Sequence, residues 1–191
     1  KVGDSSIYFD GNTDYLSTPA SSDWDFGTGD FTIEFWIKTT DNDVGLLSLS
    51  SGAMPTNTWK LFIGVVGDAN QIYWQPVGTT NIQGSATVND DAWNHIAIVR
   101  ASGTVTIYTG GTAAGSGTSS GTVGLTTQQL NVGLDYEHYI VHSSTARNYT
   151  GYMDEIRISD SARYTGTFTP QTTEFTSDSN TLLLIHSNWT G

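Results

Sequence analysis

The stretch Phe31-Thr-Ile-Glu-Phe-Trp-Ile-Lys38 decides the fold. Phe31, Ile33, Phe35 and Ile37 alternate with Thr32, Glu34, Trp36 and Lys38, the period-two pattern of a strand with one face in a core. A helix would space its apolar residues three and four apart, and no stretch of this chain sustains that spacing with caps. Similar runs lie on either side. Ile7–Phe9 and Tyr15–Ser17 flank Asp10-Gly11-Asn12-Thr13-Asp14, which reads as a hairpin loop. Val44–Ser50, Trp59–Val66 and Gln71–Gln75 follow, and then Trp93–Arg100 and Thr104–Tyr108 around the turn Ala101-Ser102-Gly103. Gly110–Thr127 is rich in Gly, Thr and Ser and reads as a weak edge strand with its turns rather than a linker. Leu130–Gly133, Met153–Ser159 and Thr181–His186 complete the set, with Gly166–Asp178 as an extended arm around the body. The pattern predicts an all-β sandwich with almost no helix, whose last strand returns beside the first.

Composition agrees. The 29 Thr and 22 aromatic residues suit a pleated, half-buried surface, while 21 Gly and 20 Ser supply turns. A chain of 191 residues fits one sandwich domain, residues 1–191, and can bury enough surface to fold without disulfides, of which it can form none. The net charge of −12 repels phosphate backbones and argues against nucleic acid as a partner. No transmembrane run or signal peptide is visible, so the expectation is no membrane insertion and a mature chain, or one cut from a larger protein.

Four segments carry a resemblance. They are Ser6-Ile-Tyr-Phe-Asp-Gly11 with Asp14-Tyr-Leu16, Asp30-Phe-Thr-Ile-Glu-Phe-Trp-Ile37, Trp93-Asn-His-Ile-Ala-Ile-Val-Arg100 and Gly151-Tyr-Met-Asp-Glu-Ile-Arg-Ile158. In order and spacing the set resembles the laminin-G-like, pentraxin-like branch of the concanavalin A-like lectin/glucanase superfamily. The tail Arg157-Ile-Ser-Asp-Ser-Ala-Arg-Tyr-Thr-Gly-Thr-Phe-Thr-Pro170 is similar to such domains in bacteriophage tail and virion structural proteins. The resemblance implies a jelly roll of two antiparallel sheets with no obligatory catalytic centre, in a virion or an extracellular setting. It also implies polysaccharide, a cell-surface glycan or other virion proteins as partners, with a homo-oligomer as an option.

Glycoside hydrolysis needs two carboxyl groups converging on one bond. On a regular strand the neighbours Asp154 and Glu155 point to opposite faces, Glu155 sharing its face with Arg157 as an ordinary surface pair, and Glu34 stands alone among Thr32, Trp36 and Lys38. The spaced acidic motif of a hydrolase is missing, and a binding or adhesion module rather than an enzyme is expected, the alternatives being a purely structural virion decoration domain without a glycan ligand and, behind it, a glycoside hydrolase or lyase of the same superfamily. His95 reads as a packed, hydrogen-bonded histidine, and His138 with His142 lie in strand or loop sequence that does not suit zinc. Asp10, Asn12 and Asp14 have the opening spacing of an EF-hand loop, but Tyr15 and Ser21 stand where Gly and Glu are needed. The laminin-G-like resemblance implies a calcium ion at the sandwich rim, with Asp10 and Asp154 as its carboxylates. Sugars stack on flat aromatic faces, which nominates Trp36, on a polar strand face, and the loop aromatics Tyr136, Tyr139 and Tyr149 as ligand-binding residues.

Overall fold

The computed structural model describes residues 2–51, 55–64, 70–135 and 147–187. The first strands are β1 (Ile7–Asp10), β2 (Leu16–Ser17), β3 (Asp25–Gly27), β4 (Phe31–Lys38), β5 (Val44–Leu49) and β6 (Trp59–Ile63). Next come β7 (Ile72–Pro76), β8 (Ile82–Gln83), β9 (Asn94–Ala101), β10 (Thr104–Thr109), β11 (Thr112–Thr118) and β12 (Val123–Gly124). The last are β13 (Leu130–Val132), β14 (Leu134–Asp135), β15 (Arg147–Asn148), β16 (Thr150–Ser159) and β17 (Thr181–Ile185). One turn of 3₁₀ helix, Ser22–Trp24, is the only helical element among the described residues.

The strands form a jelly-roll sandwich. A seven-stranded antiparallel sheet runs β1-β16-β4-β9-β10-β11 with β17 also on β16, and a six-stranded sheet runs β2-β13-β5-β6-β7-β8. Alternation decides what lies between them. Phe31, Ile33, Phe35 and Ile37 of β4 are fully buried, as are Leu61, Trp59 and Trp74 of the opposite sheet. Phe31 stacks on Phe26 at 4.6 Å and meets Trp74 at 5.4 Å, and Trp74 meets Trp59 at 5.3 Å. The large aromatics thus fill the gap between two sheets that pack roughly 10 Å apart.

Three features shape the outer face of the seven-stranded sheet. The first is a bulge in β16. Asp154 pairs with Trp36 and Arg157 with Glu34, so two residues of β16 stand against the single Phe35 of β4. The extra residue bends the ladder, and Glu155 absorbs the bend with φ = +51°, in the left-handed region that costs a non-glycine residue free energy. The second is the arm foreseen over Gly166–Asp178, which starts a few residues earlier and lies across this face as a strap. Tyr164 and Phe168 pack on Ala97, Val99 and Tyr108. Phe168 donates its N–H to the Gly111 carbonyl, and Gly111 sits at φ = +79° where any Cβ would strike the Phe168 carbonyl. The third is the meeting of the two ends. β1 lies along Thr150–Met153 of β16 and β17 along Ile156–Ser159, on one edge. Between them the Ser5 hydroxyl donates to the Ser187 carbonyl, and the Ser187 Oγ lies 3.0 Å from the Ser5 carbonyl.

Candidate functional site

The outward residues of β4 divide this face in two. Under the strap lie Thr32 and Glu34. The Thr32 hydroxyl donates to the Ser161 carbonyl at 2.7 Å. Glu34 is fully buried, and its Oε1 accepts from Arg157 Nε at 2.9 Å and Nη2 at 2.6 Å. Its Oε2 accepts from the Tyr164 hydroxyl at 2.8 Å and lies 3.3 Å from His95 Nε2. The Arg157 guanidinium also lies 4.4 Å from the centre of the Phe175 ring and donates to the Thr176 carbonyl. Glu155 Oε2 accepts the Phe175 N–H at 2.5 Å, and its Oε1 lies 2.8 Å from His186 Nδ1. The strap is therefore held by buried ions whose oxygens are occupied.

Burial pushes the Glu34 carboxyl up, but the neighbouring His95 imidazole and the charge of Arg157 outweigh it and hold the group below its ordinary value of 4.5. A carboxyl depressed in the folded state adds stability above its unfolded pKa and loses it as pH falls through the folded value. Stability is thus expected to be flat in this group above about pH 5 and to fall as acid is added below 4.5. Thermal melts of wild type and Glu34→Gln across that range test this, because the variant loses the Glu34 share of the acid limb. Parallel curves would refute the assignment.

Beyond the strap the same face is open. Tyr8 pairs with Tyr152, Tyr152 with Lys38, and the neighbouring pair Ile37 with Asn94 sets Trp93 beside Lys38. The row Tyr8–Tyr152–Lys38–Trp93 crosses four strands, about 14 Å at the usual strand spacing. Tyr8 is 54% and Tyr152 40% exposed, uncommon for rings this large. Their rings lie 5.0 Å apart and tilted by 50°, and Trp93 lies 6.4 Å from Tyr152 at 52°. Lys38 Nζ lies 3.4 Å from Asp91 Oδ1, and the rest of the row is aromatic. Trp36 is half-buried one row back, edge-on to His95 at 5.2 Å, between the aromatic row and the strap. Gly151, at φ = +138°, lets β16 run against the Lys38 carbonyl where a Cβ would collide, which brings Tyr152 close to Lys38.

The structure sorts the residues nominated from sequence. Trp36 faces outward beside the aromatic row. Tyr149 does not line a surface: it is fully buried, edge-on to Phe9 at 5.8 Å, with its hydroxyl 3.1 Å from the Lys38 and Tyr152 carbonyls. It bridges β16 and β4 from inside because its short segment turns inward between β15 and β16. Tyr136 and Tyr139, with His138 and His142, lie outside the described residues. Asp10 and Asp154 do not converge. Asp10 pairs with Thr150, four residues along β16 from Asp154, or about 13 Å at strand rise. Asp10 Oδ1 accepts the N–H groups of Asn12, Thr13 and Asp14, which hold its carboxyl below the ordinary value. Asp154 is buried and accepts from the Val2 N–H, the Ser187 hydroxyl and the Glu155 N–H. These two carboxylates therefore do not fit a shared calcium ion, and no group of three metal-ligating side chains gathers among the described residues.

The acids were also misplaced. Glu34 is enclosed rather than alone, Arg157 pairs with Glu34 rather than Glu155, and Glu155 is buried against His186 and the strap. The bulge resets the alternation at Glu155, which the regular-strand rule does not foresee. Tyr8 and Tyr152 were missed as a pair. Each occupies an outward position, Tyr8 between Ile7 and Phe9 and Tyr152 before Met153, but the register of β1 on β16 is what joins them.

The family described as concanavalin A-like lectin/glucanases superfamily, Laminin_G_3, matches residues 10–166. No curated protein sequence matches the chain. Among solved structures, a candidate carbohydrate-binding protein from Bacteroides ovatus superposes with a TM-score of 0.67 at 18% identity, over 95% of this chain and 52% of that one. This chain thus spans about half of that protein. The mouse laminin α1 chain, domains LG4-5, superposes at 0.60 with 14% identity, over 87% of this chain and 47% of that one. The CBM40 of the Ruminococcus gnavus IT-sialidase, bound to α2,3 sialyllactose, superposes at 0.60 with 12% identity, over 84% of this chain and 92% of that one. Identities this low speak to the fold alone; the match over residues 10–166 establishes the family, and the chain belongs to the laminin-G-like domains of the concanavalin A-like lectin/glucanases superfamily.

Proposed function

We propose that this domain is a non-catalytic carbohydrate-binding module whose platform is the row Tyr8, Tyr152 and Trp93 with Trp36 behind it. The observation that carries the reading is the pair of exposed tyrosine rings in register on the part of the sheet face that the strap leaves open. Exposed, adjacent rings offer sugars flat apolar faces with polar tips, and they are ordered by the sheet before any ligand arrives. Binding in place of catalysis fits the state of Glu34, Asp154 and Glu155, whose oxygens are turned to protein donors. The CBM40 bound to sialyllactose shares the fold and lends weight to a glycan as the ligand class.

Tyr152→Ala is expected to weaken glycan affinity by about 1–2 kcal/mol, on the order of 5–30-fold, while leaving the melting temperature within a few degrees of wild type. Titration of the full chain against oligosaccharides hitting a glycan array checks this; unchanged affinity would move the site elsewhere. The sequence likeness to phage virion domains makes a virion or exported surface the setting we infer, with neighbouring virion proteins or further copies of the chain beside it. Detection of the chain in purified particles would bear on that separately.

A further inference from the structure

We infer that the aromatic row takes a neutral glycan and discriminates against sialylated, uronic or sulfated ones. This rests on the reading of the row as a glycan platform and names its ligand class. Lys38 is the sole cation in the row, and its ammonium lies 3.4 Å from Asp91. Asp91 is itself 66% exposed, and Asp90 lies beside it on the turn leading into Trp93. An incoming carboxylate or sulfate would therefore compete with Asp91 for Lys38 and approach a second acid, on a chain whose net charge is −12. A neutral sugar meets none of these costs. It stacks on Tyr8, Tyr152 and Trp93, and its hydroxyls have the tyrosine hydroxyls and the Lys38–Asp91 pair as partners. The ion pair then acts as a filter, offering hydrogen bonds in both senses with no net charge.

The strap adds a limit on direction. Thr32 and Glu34 lie beneath it, so an extended ligand cannot run along the strands past Trp36. The open path lies across them, from Tyr8 to Trp93.

The test uses the full chain on an array holding neutral polysaccharide fragments, such as xylohexaose and cellohexaose, beside sialyllactose and heparin oligosaccharides. Neutral glycans are expected to bind with an affinity insensitive to added salt and weakened on the order of 5–30-fold in Tyr152→Ala. Asp91→Asn keeps the fold, since Asp91 sits at φ = +59° where Asn is well tolerated, and it frees Lys38. That variant is expected to gain several-fold in binding to the anionic probes, the gain vanishing at high salt. Tight, salt-sensitive binding of anionic glycans by the wild type, weakened in Tyr152→Ala, would overturn the neutral preference while keeping the platform. No change in anionic binding on Asp91→Asn would overturn the filter. Failure of every glycan to bind in a Tyr152-dependent way would bring down the platform itself.

Discussion

Glu34→Ala is expected to cost about 3–5 kcal/mol of folding stability, the range seen when one partner of a buried ion pair is removed. Glu34 gathers Arg157, Tyr164 and His95 on its two oxygens, and Arg157 is only 6% exposed. Alanine leaves a buried guanidinium without its carboxylate and a tyrosine hydroxyl without its acceptor. Arg157 also holds the strap through Phe175 and Thr176, so the loss does not stay local. For a chain of this size each kcal/mol moves the melting temperature by roughly 2–4 °C, which places the expected fall at about 6–20 °C. The strap should loosen before the sandwich melts, and tryptic cleavage after Arg163 should become faster than in the wild type. A fall of only one or two degrees with no change in cleavage would mean that the cluster does not hold the strap.

Arg100→Leu is expected to be nearly as costly, for a different reason. Arg100 is fully buried with its guanidinium 4.8 Å from the centre of the Phe31 ring, and it meets backbone carbonyls instead of a carboxylate. Its Nε donates to Gly29 at 2.6 Å, Nη1 to Gly121 at 3.1 Å, and Nη2 to Phe26 at 3.3 Å and Gly27 at 2.8 Å. One side chain thus ties β9 to β3, to the turn after it and to the loop before β12. Hydrogen bonds to charged donors contribute about 1.5–3 kcal/mol each, so losing the set should cost about 3 kcal/mol or more after water reaches the outer carbonyls. Arg100→Lys keeps the charge but not the planar fork, and it should recover less than half of the loss. Urea denaturation of the three proteins decides this. Full recovery by lysine would show that charge, not the fork, is what β9 needs.

The strand that carries Glu34 marks where the sequence could be read and where it could not. The period-two pattern of Phe31–Lys38 assigns the inward residues correctly, and the burial of Trp59 and Trp74 follows from the same rule. Alternation names a face without saying what covers it. Glu34 looks like a surface acid because the residues that enclose it come from β9, β16 and a strap more than a hundred residues away. The bulge at Glu155 has no local sign either, since a glycine or asparagine would mark a left-handed position and a glutamate does not. Tyr149 fails as a ligand residue for a related reason: a short turn between strands looks alike in sequence whether its aromatic faces solvent or core. Tyr8 and Tyr152 were each legible as outward, but the platform exists only through their register, a long-range property that no single segment carries.

The clasp between Ser5 and Ser187 has a consequence for how such a domain combines with others. Chain that enters at one serine and leaves at the other does so through neighbouring points, however large the sandwich between them. A host protein could receive the whole unit inside a surface loop without its own loop ends being forced apart, as insertion between close termini allows.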